Sequence, residues 1–65
     1  MLIVNGETDG AGVGLTVAAL LDRRGLGETP CAVEVNKELV PKREHAERVL
    51  EEGDRVEIVT LVGGG

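Results

Sequence analysis

The stretch RVEIVTLV, residues 55–62, is the most β-prone segment of the chain. β-Branched residues fill five of its eight positions, a composition that favours an extended strand. Because side chains alternate across a strand, one face carries two apolar residues, Val56 and Ile58. The other face carries Glu57, Val59 and Leu61. The pattern therefore predicts a strand over residues 55–62 with one buried and one open face.

A second apolar run, MLIV, forms residues 1–4 and ends at Asn5-Gly6. Asn-Gly is typical of a type I′ turn, so the run predicts a strand that enters a hairpin. The return segment over residues 7–14 is polar and rich in glycine. We therefore expect its strand to be short and to lie at a sheet edge, followed by a flexible connection.

The sequence next predicts a helix over residues 17–24. Thr16 is suited to the N-cap, and Gly25 fits the position just beyond the C-terminal end. The apolar side chains Val17, Leu20 and Leu21 share one face. About two turns of helix are too short to be stable alone, so this face must pack on a sheet.

The rest of the chain predicts a strand over residues 31–36, with Val33 and Val35 inward, and a short apolar piece at 39–40 stopped by Pro41. A brief helical turn over 42–50 and a turn at 52–54 precede the last strand.

The order of the elements predicts an α+β fold, a mixed sheet of four to five strands with one main helix across one face. With the first and last strands central and parallel, this is the β-grasp architecture. Residues 1–62 form the predicted domain and residues 63–65 a flexible glycine tail.

Composition excludes several classes of partner. The 65 residues carry a formal charge of −5 and no aromatic side chain, so nucleic acid and an anionic membrane surface are not expected as partners. No apolar run approaches the length of a membrane span, and the N-terminus does not resemble a signal peptide. One cysteine and one histidine cannot build a metal site by themselves. We expect a cytoplasmic protein.

The glycine tail offers one reactive group. Gly63, Gly64 and Gly65 have no side chains, so the tail is narrow enough for a tight protein channel, and its only reactive group is the terminal carboxylate. Transfer of AMP to that carboxylate by a partner enzyme would give a mixed anhydride, which is a good electrophile. A frayed terminus without chemistry is the simpler alternative.

Taken together, the segments resemble the ThiS family of sulfur carrier proteins, small ubiquitin-like β-grasp proteins of thiamine biosynthesis. The resemblance lies in the following pieces, in this order: IVNG at 3–6, TVAALL at 16–21, AVEVN at 32–36, LVP at 39–41, GDRVEIV at 53–59 and the Gly-Gly end. They cover essentially the whole chain, and they are specific as a set rather than singly.

The resemblance implies a mechanism and a set of partners. A ubiquitin-activating-enzyme-like adenylyltransferase uses ATP and magnesium to adenylate the C-terminal glycine, here Gly65, with Gly64 as the other half of the motif. A sulfur donor protein then converts it to a thiocarboxylate, which supplies sulfur to thiazole synthase. The chain itself would be a non-catalytic co-substrate without a bound cofactor, and Gly63 would only extend the reach of the tail.

The open face of the last strand is the predicted docking surface, through Glu57, Val59 and Leu61. Residues 44–65 hold a net charge of −4, which predicts steering toward a basic partner. Alternatives to the thiamine carrier are the small subunit of molybdopterin synthase, a protein modifier that forms isopeptide bonds, and a plain interaction module. For Val59 and Leu61, the plain alternative is a pair of β-formers at a sheet surface.

Other signals are weaker. The run GAGVG at 10–14 lacks the strand–loop–helix context and the spacing of a dinucleotide-binding loop, so a nucleotide site is not expected there. Cys31 is interpreted as a small core or edge residue, since no base is near it in sequence. His45 and the pair Lys42-Arg43 are expected to be solvated.

Overall fold

The computed structural model describes residues 1–61, which form a five-stranded mixed sheet and one α-helix. The elements in chain order are β1 (Leu2–Val4), β2 (Glu7–Asp9), α1 (Val17–Arg23), β3 (Cys31–Val35), β4 (Glu38–Val40), a 3₁₀ helix (Lys42–Glu44) and β5 (Arg55–Thr60). The last strand is thus shorter than the predicted 55–62. Val62 and the glycine tail, including the predicted domain boundary between residues 62 and 63, lie outside the described residues.

The strand order is β2-β1-β5-β3-β4, with β1 and β5 parallel and the other neighbours antiparallel. The prediction of a β-grasp fold is confirmed, including the parallel pairing of the first and last strands. β5 occupies the centre of the sheet, with Val56 and Ile58 buried on one face. Its position puts the last described residue, Leu61, at the end of the central strand.

The hairpin between β1 and β2 forms as the Asn-Gly pair predicts. Asn5 and Gly6 have φ values of 49° and 84°, the two positive angles of a type I′ turn. β2 pairs only with β1 and is an edge strand of three residues. The hairpin ends β1 early, so among the described residues the second half of β5 has no strand beside it on that side.

Helix α1 packs its predicted face on the sheet. Thr16 caps it by accepting a hydrogen bond from the Ala19 N–H through Oγ1, at 3.1 Å. The first two amides of the helix donate to the segment that follows the 3₁₀ helix. Val17 N–H is bonded to the Arg48 carbonyl, and Ala18 N–H is bonded to the His45 carbonyl. A helix of only seven residues is therefore held by packing and by the segment that follows β4.

The core lies between α1 and one face of the sheet. Its buried apolar side chains come from every element except β2 and the 3₁₀ helix, together with Leu50 from the connection to β5: Leu2, Val4, Val17, Leu20, Leu21, Val33, Val35, Val40, Leu50, Val56 and Ile58. These include all the inward positions predicted for β3, β5 and the helix. Aliphatic side chains alone fill this small core.

Two expectations about the connections are wrong. His45 is not solvated, since it is only 8% exposed. The 3₁₀ turn after Pro41 reverses the chain, so that the His45 Nε2 lies 3.0 Å from the Val40 carbonyl. The segment at 10–14 is not a loose connection either. Gly12 is buried, and a Cβ there would lie 2.5 Å from Leu2 Cδ1, so the backbone packs directly on the core.

Within residues 1–61, no helix has both the length and the apolar character that a membrane crossing requires.

Candidate functional site

The open face of β5 is the candidate site. Val56 and Ile58 point into the core, whereas Glu57 and Val59 point outward, as the alternation predicts. Val59 is 57% exposed, a large fraction for a valine in a central strand. The face assignment is confirmed, and the role of these residues in docking stays a prediction.

Two further residues of this open face lie on the strands beyond β5. In the antiparallel register of β3 with β5, Glu34 lies directly opposite Glu57, and Leu39 of β4 lies opposite Glu34. Leu39 is 65% exposed. We refer to these four residues, Glu34, Leu39, Glu57 and Val59, as the open-face patch. The alternation in residues 31–36 predicts that Glu34 points outward, and this is confirmed, but only the register brings it against Glu57.

The facing carboxylates leave the open-face patch negatively charged. Like charges directly opposite each other in a sheet destabilise it. Within residues 1–61, neither Glu34 nor Glu57 forms an ion pair. The patch thus combines uncompensated acidity with exposed Val59 and Leu39, and its chemistry fits a partner surface that supplies basic and apolar side chains.

Leu61 occupies a different position from Val59. It follows the end of β5, is 52% exposed, and donates its N–H to the Pro30 carbonyl at 2.8 Å. It also borders a groove of about 470 Å³ between α1, the segment around 26–31 and the 3₁₀ helix. The chain thus leaves the sheet where the open face and this groove meet.

Cys31 and His45 both line that groove. Cys31 is the first residue of β3, is partly buried, and packs against the core, as expected for a small edge residue. Lys42 and Arg43 are exposed, as expected. Within residues 1–61, no three of the His, Cys, Asp and Glu side chains come together as metal ligands.

Three of the five backbone amides in the glycine-rich run at 10–14 are already engaged. Oδ1 of Asp9 accepts hydrogen bonds from the N–H groups of Ala11 and Gly12, and Gly14 N–H donates to the Leu50 carbonyl. The hydrogen bond from Arg24, with its charge and these amides, holds the pKa of Asp9 below its ordinary value. A loop whose amides bind its own carboxylate does not cradle a phosphate.

The turn before β5 is fixed by a second carboxylate. Asp54 accepts hydrogen bonds from the Glu51 N–H at 2.9 Å and from Nδ2 of Asn36 at 3.0 Å, and Arg48 lies 3.8 Å away. Partial burial alone would raise the pKa of Asp54, but these hydrogen bonds and the Arg48 charge lower it below its ordinary value. The start of β5 is thereby anchored to β3.

The predicted covalent site, Gly65, and the tail residues Gly63 and Gly64 lie outside the described residues. What the described chain provides is the strand from which they follow, with one charged and apolar face open beside it.

Comparison with known proteins relates the whole chain to sulfur carriers. The family model described as "ThiS family" matches residues 2–65. The sulfur carrier protein ThiS of Escherichia coli is 23% identical, covering 98% of this chain and 97% of its own. A crystal structure of the thiamine biosynthesis protein ThiS from Geobacter metallireducens is 30% identical, with a TM-score of 0.78 and coverage of 98% and 97%.

A longer relative is also similar to the chain. A thiazole synthase of Paramagnetospirillum magneticum is 42% identical over 64 residues, which is 98% of this chain. The chain spans about a fifth of the length of the thiazole synthases that it matches.

Proposed function

Because the chain belongs to the ThiS family of sulfur carrier proteins, we propose that it carries sulfur as a thiocarboxylate on Gly65 for thiazole formation in thiamine biosynthesis. The single observation that carries the proposal is the family match over residues 2–65, which includes both β5 and the glycine end. The ubiquitin-like β-grasp fold supports it, since β5, the strand that precedes the glycine end in the sequence, is the central strand of the sheet.

The chemistry takes place at one carboxylate. The Gly65 carboxylate oxygen attacks the α-phosphorus of ATP, and pyrophosphate leaves to give an acyl adenylate. The terminal sulfur of a persulfide on a donor protein then attacks the acyl carbon, AMP leaves with the electrons of the C–O bond, and an acyl disulfide joins the two proteins. A thiol next attacks the donor's sulfur of that disulfide, so that the S–S bond breaks, its electron pair goes to the acyl sulfur, and a new disulfide remains on the donor side. The product is a thiocarboxylate, whose sulfur is nucleophilic enough to be transferred to the precursor of the thiazole ring.

In this proposal ATP and magnesium are bound by a ubiquitin-activating-enzyme-like adenylyltransferase. The chain contributes a backbone carboxylate on a tail without side chains, and catalyses no step itself. The open-face patch supports this division, because exposed Val59 and uncompensated Glu57 suit protein docking. The proposal requires Gly65 to carry the free carboxylate in the cell, which the intact mass of the protein isolated from its own organism tests.

Thiazole synthase is the proposed acceptor of the sulfur. Proteins of that name contain a region similar to this chain within a polypeptide about five times as long. Joining a carrier and an enzyme in one chain favours direct transfer between them. Sulfur transfer to molybdopterin synthase instead of thiazole synthase would assign the chain to the molybdenum-cofactor branch.

Intact-mass spectrometry tests the central step. The protein is incubated with the adenylating enzyme, ATP, magnesium and a sulfur donor, and replacement of one carboxylate oxygen by sulfur is the expected change in mass. Deleting Gly64 and Gly65 should abolish that change and leave the fold intact. Higher-mass adducts on lysine would support a protein modifier, and an unchanged mass would leave a plain interaction module.

A pair of substitutions tests the docking surface. Val59→Ser should lower kcat/KM of the adenylating enzyme for this protein by about tenfold, because it removes an exposed apolar contact from the interface. Val49→Ser is the matched control. Val49 is also exposed, but it lies in the connection before β5, where it pairs with Thr16, and it is not part of the open-face patch. Equal effects of the two variants would contradict docking through the open-face patch.

A further inference from the structure

The backbone groups of β5 point alternately to its two sides. Odd-numbered residues face β3, as shown by the bonds from Asn36 N–H to the Arg55 carbonyl and from Leu61 N–H to the Pro30 carbonyl. Even-numbered residues face the side of β1, where Asn5 N–H donates to the Val56 carbonyl at 2.8 Å. This alternation is the normal pattern of a strand between two neighbours.

On the β1 side, a side chain replaces the missing strand at one position. β1 ends at Val4, and the chain turns away at Asn5. The Asn5 amide then accepts a hydrogen bond from Ile58 N–H at 2.7 Å and donates one to the Ile58 carbonyl at 3.2 Å. Both backbone groups of Ile58 are thus hydrogen-bonded on the β1 side of β5, although β1 does not reach this residue.

Thr60 is the next residue along this side, and nothing replaces the strand for it. Thr60 lies opposite Cys31 of β3, but the two form a non-hydrogen-bonded pair. The N–H and carbonyl of Thr60 therefore point away from β3. Within residues 1–61, neither its N–H nor its carbonyl makes a hydrogen bond. The residue is exposed, so water solvates both groups in the free protein.

We propose that an extended segment of the adenylating enzyme adds to the sheet at this edge, pairing its backbone with the N–H and carbonyl of Thr60. The segment would lie beyond Asn5, in the space that β1 leaves beside β5. The N–H and the carbonyl of Thr60 point to the same side of β5, and the other side of β5 is already paired with β3. A backbone donor and acceptor in this arrangement can bind an extended peptide segment. The inference rests on the proposed function for the identity of the enzyme.

The neighbouring side chains define the chemistry of that segment. Its side chains on the open face would lie next to Val59 and close to Glu57, which faces Glu34 without a counter-ion. An apolar residue and a lysine or arginine therefore suit these positions. Pairing at Thr60 also fixes the direction of the chain five residues before Gly65, so the carboxylate lies within about 17 Å of the contact.

A matched pair of variants tests the backbone contact. Thr60→Pro removes the N–H, and no hydrogen bond among residues 1–61 is lost, because Thr60 makes none with them. Thr60→Val keeps the N–H and the β-branched shape. The proline variant should bind the adenylating enzyme about tenfold more weakly than the valine variant, which corresponds to the loss of one hydrogen bond.

Amide hydrogen exchange provides a second measurement that does not depend on a proline. In ¹⁵N-labelled wild-type protein, exchange at Thr60 N–H should slow about tenfold or more when the unlabelled enzyme is bound. The Gly10 N–H, which also lacks a hydrogen bond within residues 1–61, should be unchanged. Unchanged exchange at Thr60 in the complex, with equal binding of the two variants, would overturn the inference.

The two proposals fail in distinguishable ways. If the wild-type protein gains no sulfur, the proposed function is wrong whatever the exchange data show. If it gains sulfur and binds without protection at Thr60, only the strand addition is wrong. Protection at Thr60 that increases with protein concentration in the absence of enzyme would identify a second copy as the occupant, and would overturn the assignment to the enzyme.

Discussion

Two asparagine side chains complete the pairing of β5 where backbone neighbours are missing. At its start, Asn36 Oδ1 accepts a hydrogen bond from Arg55 N–H at 3.0 Å, while its Nδ2 donates to Asp54. Further along, Asn5 binds both backbone groups of Ile58. Both residues also have positive φ, 53° and 49°, which asparagine tolerates better than most residues. Each position thus needs an amide and a left-handed backbone at once.

Asn5→Ala should lower the free energy of unfolding by about 2 kcal/mol, since it removes two hydrogen bonds and puts alanine at a positive φ. Urea denaturation measures the change. Asn5→Gly separates the two causes, because glycine tolerates the angle but also lacks the amide, and it should show the smaller loss. Wild-type stability of the glycine variant would mean that the bonds to Ile58 contribute nothing.

Gly12 is the other residue whose identity is set by its surroundings. Gly12→Ala should destabilise the protein by about 1–3 kcal/mol, because the new methyl group would lie against Leu2, a fully buried core residue. Gly10→Ala is the control, since no atom lies within 4 Å of the position of its Cβ. Thermal unfolding of the two variants should differ clearly, and equal melting temperatures would contradict tight packing at Gly12.

At the scale of elements, short pieces are stabilised by their neighbours. Helix α1 has seven residues, and its first amides are bonded to the segment around residues 45–48. The turn before β5 is held by Asp54, which binds Glu51 in the turn and Asn36 after β3. Neither element would persist alone, so a change in one connection is expected to affect the strand that it positions.

The turn predicts a pH dependence. The pKa of Asp54 is lowered below its ordinary value of 3.8, so its contribution to stability is present above that value and is lost as the pH falls through the folded-state pKa. Asp54→Asn should therefore show a smaller loss of stability on acidification than the wild type. Denaturation at several pH values measures this, with Glu28→Gln as an exposed control. Parallel pH profiles of wild type and Asp54→Asn would contradict the assignment.

At the scale of the whole molecule, the topology decides where the charge lies. The central position of β5 brings Glu57 against Glu34 and leaves the pair in the middle of the open face. The predicted reactive end follows this strand in the sequence. Acidity on the strand that precedes the tail suits electrostatic steering toward a basic partner.

The charge pair predicts opposite effects on folding and on association. Glu34→Gln should raise stability by a few tenths of a kcal/mol by removing the like-charge contact. It should also slow association with the adenylating enzyme and weaken the salt dependence of the rate. Stopped-flow kinetics at several salt concentrations measures the rate, with Glu7→Gln on β2 as the control. A wild-type association rate that does not change with ionic strength would contradict steering.

The elements and the class of fold follow from the amino-acid sequence, because the signals for these are local. Asn5-Gly6 gave the hairpin, Thr16 and Gly25 the helix ends, and alternation in residues 55–59 the two faces of β5. The family resemblance likewise rests on residues that can be read in order along the chain. These predictions needed no knowledge of the contacts between segments that are distant in the chain.

Only the tertiary structure decided the contacts between distant segments. No local pattern showed that His45 turns back to the Val40 carbonyl, that Gly12 packs on Leu2, or that Glu34 faces Glu57. The unpaired edge at Thr60 is of the same kind, since it arises because β1 ends at Val4 while β5 continues. The physical reason is that strand register and packing are set by pairs of segments far apart in the chain, whereas periodicity reports only on one segment at a time.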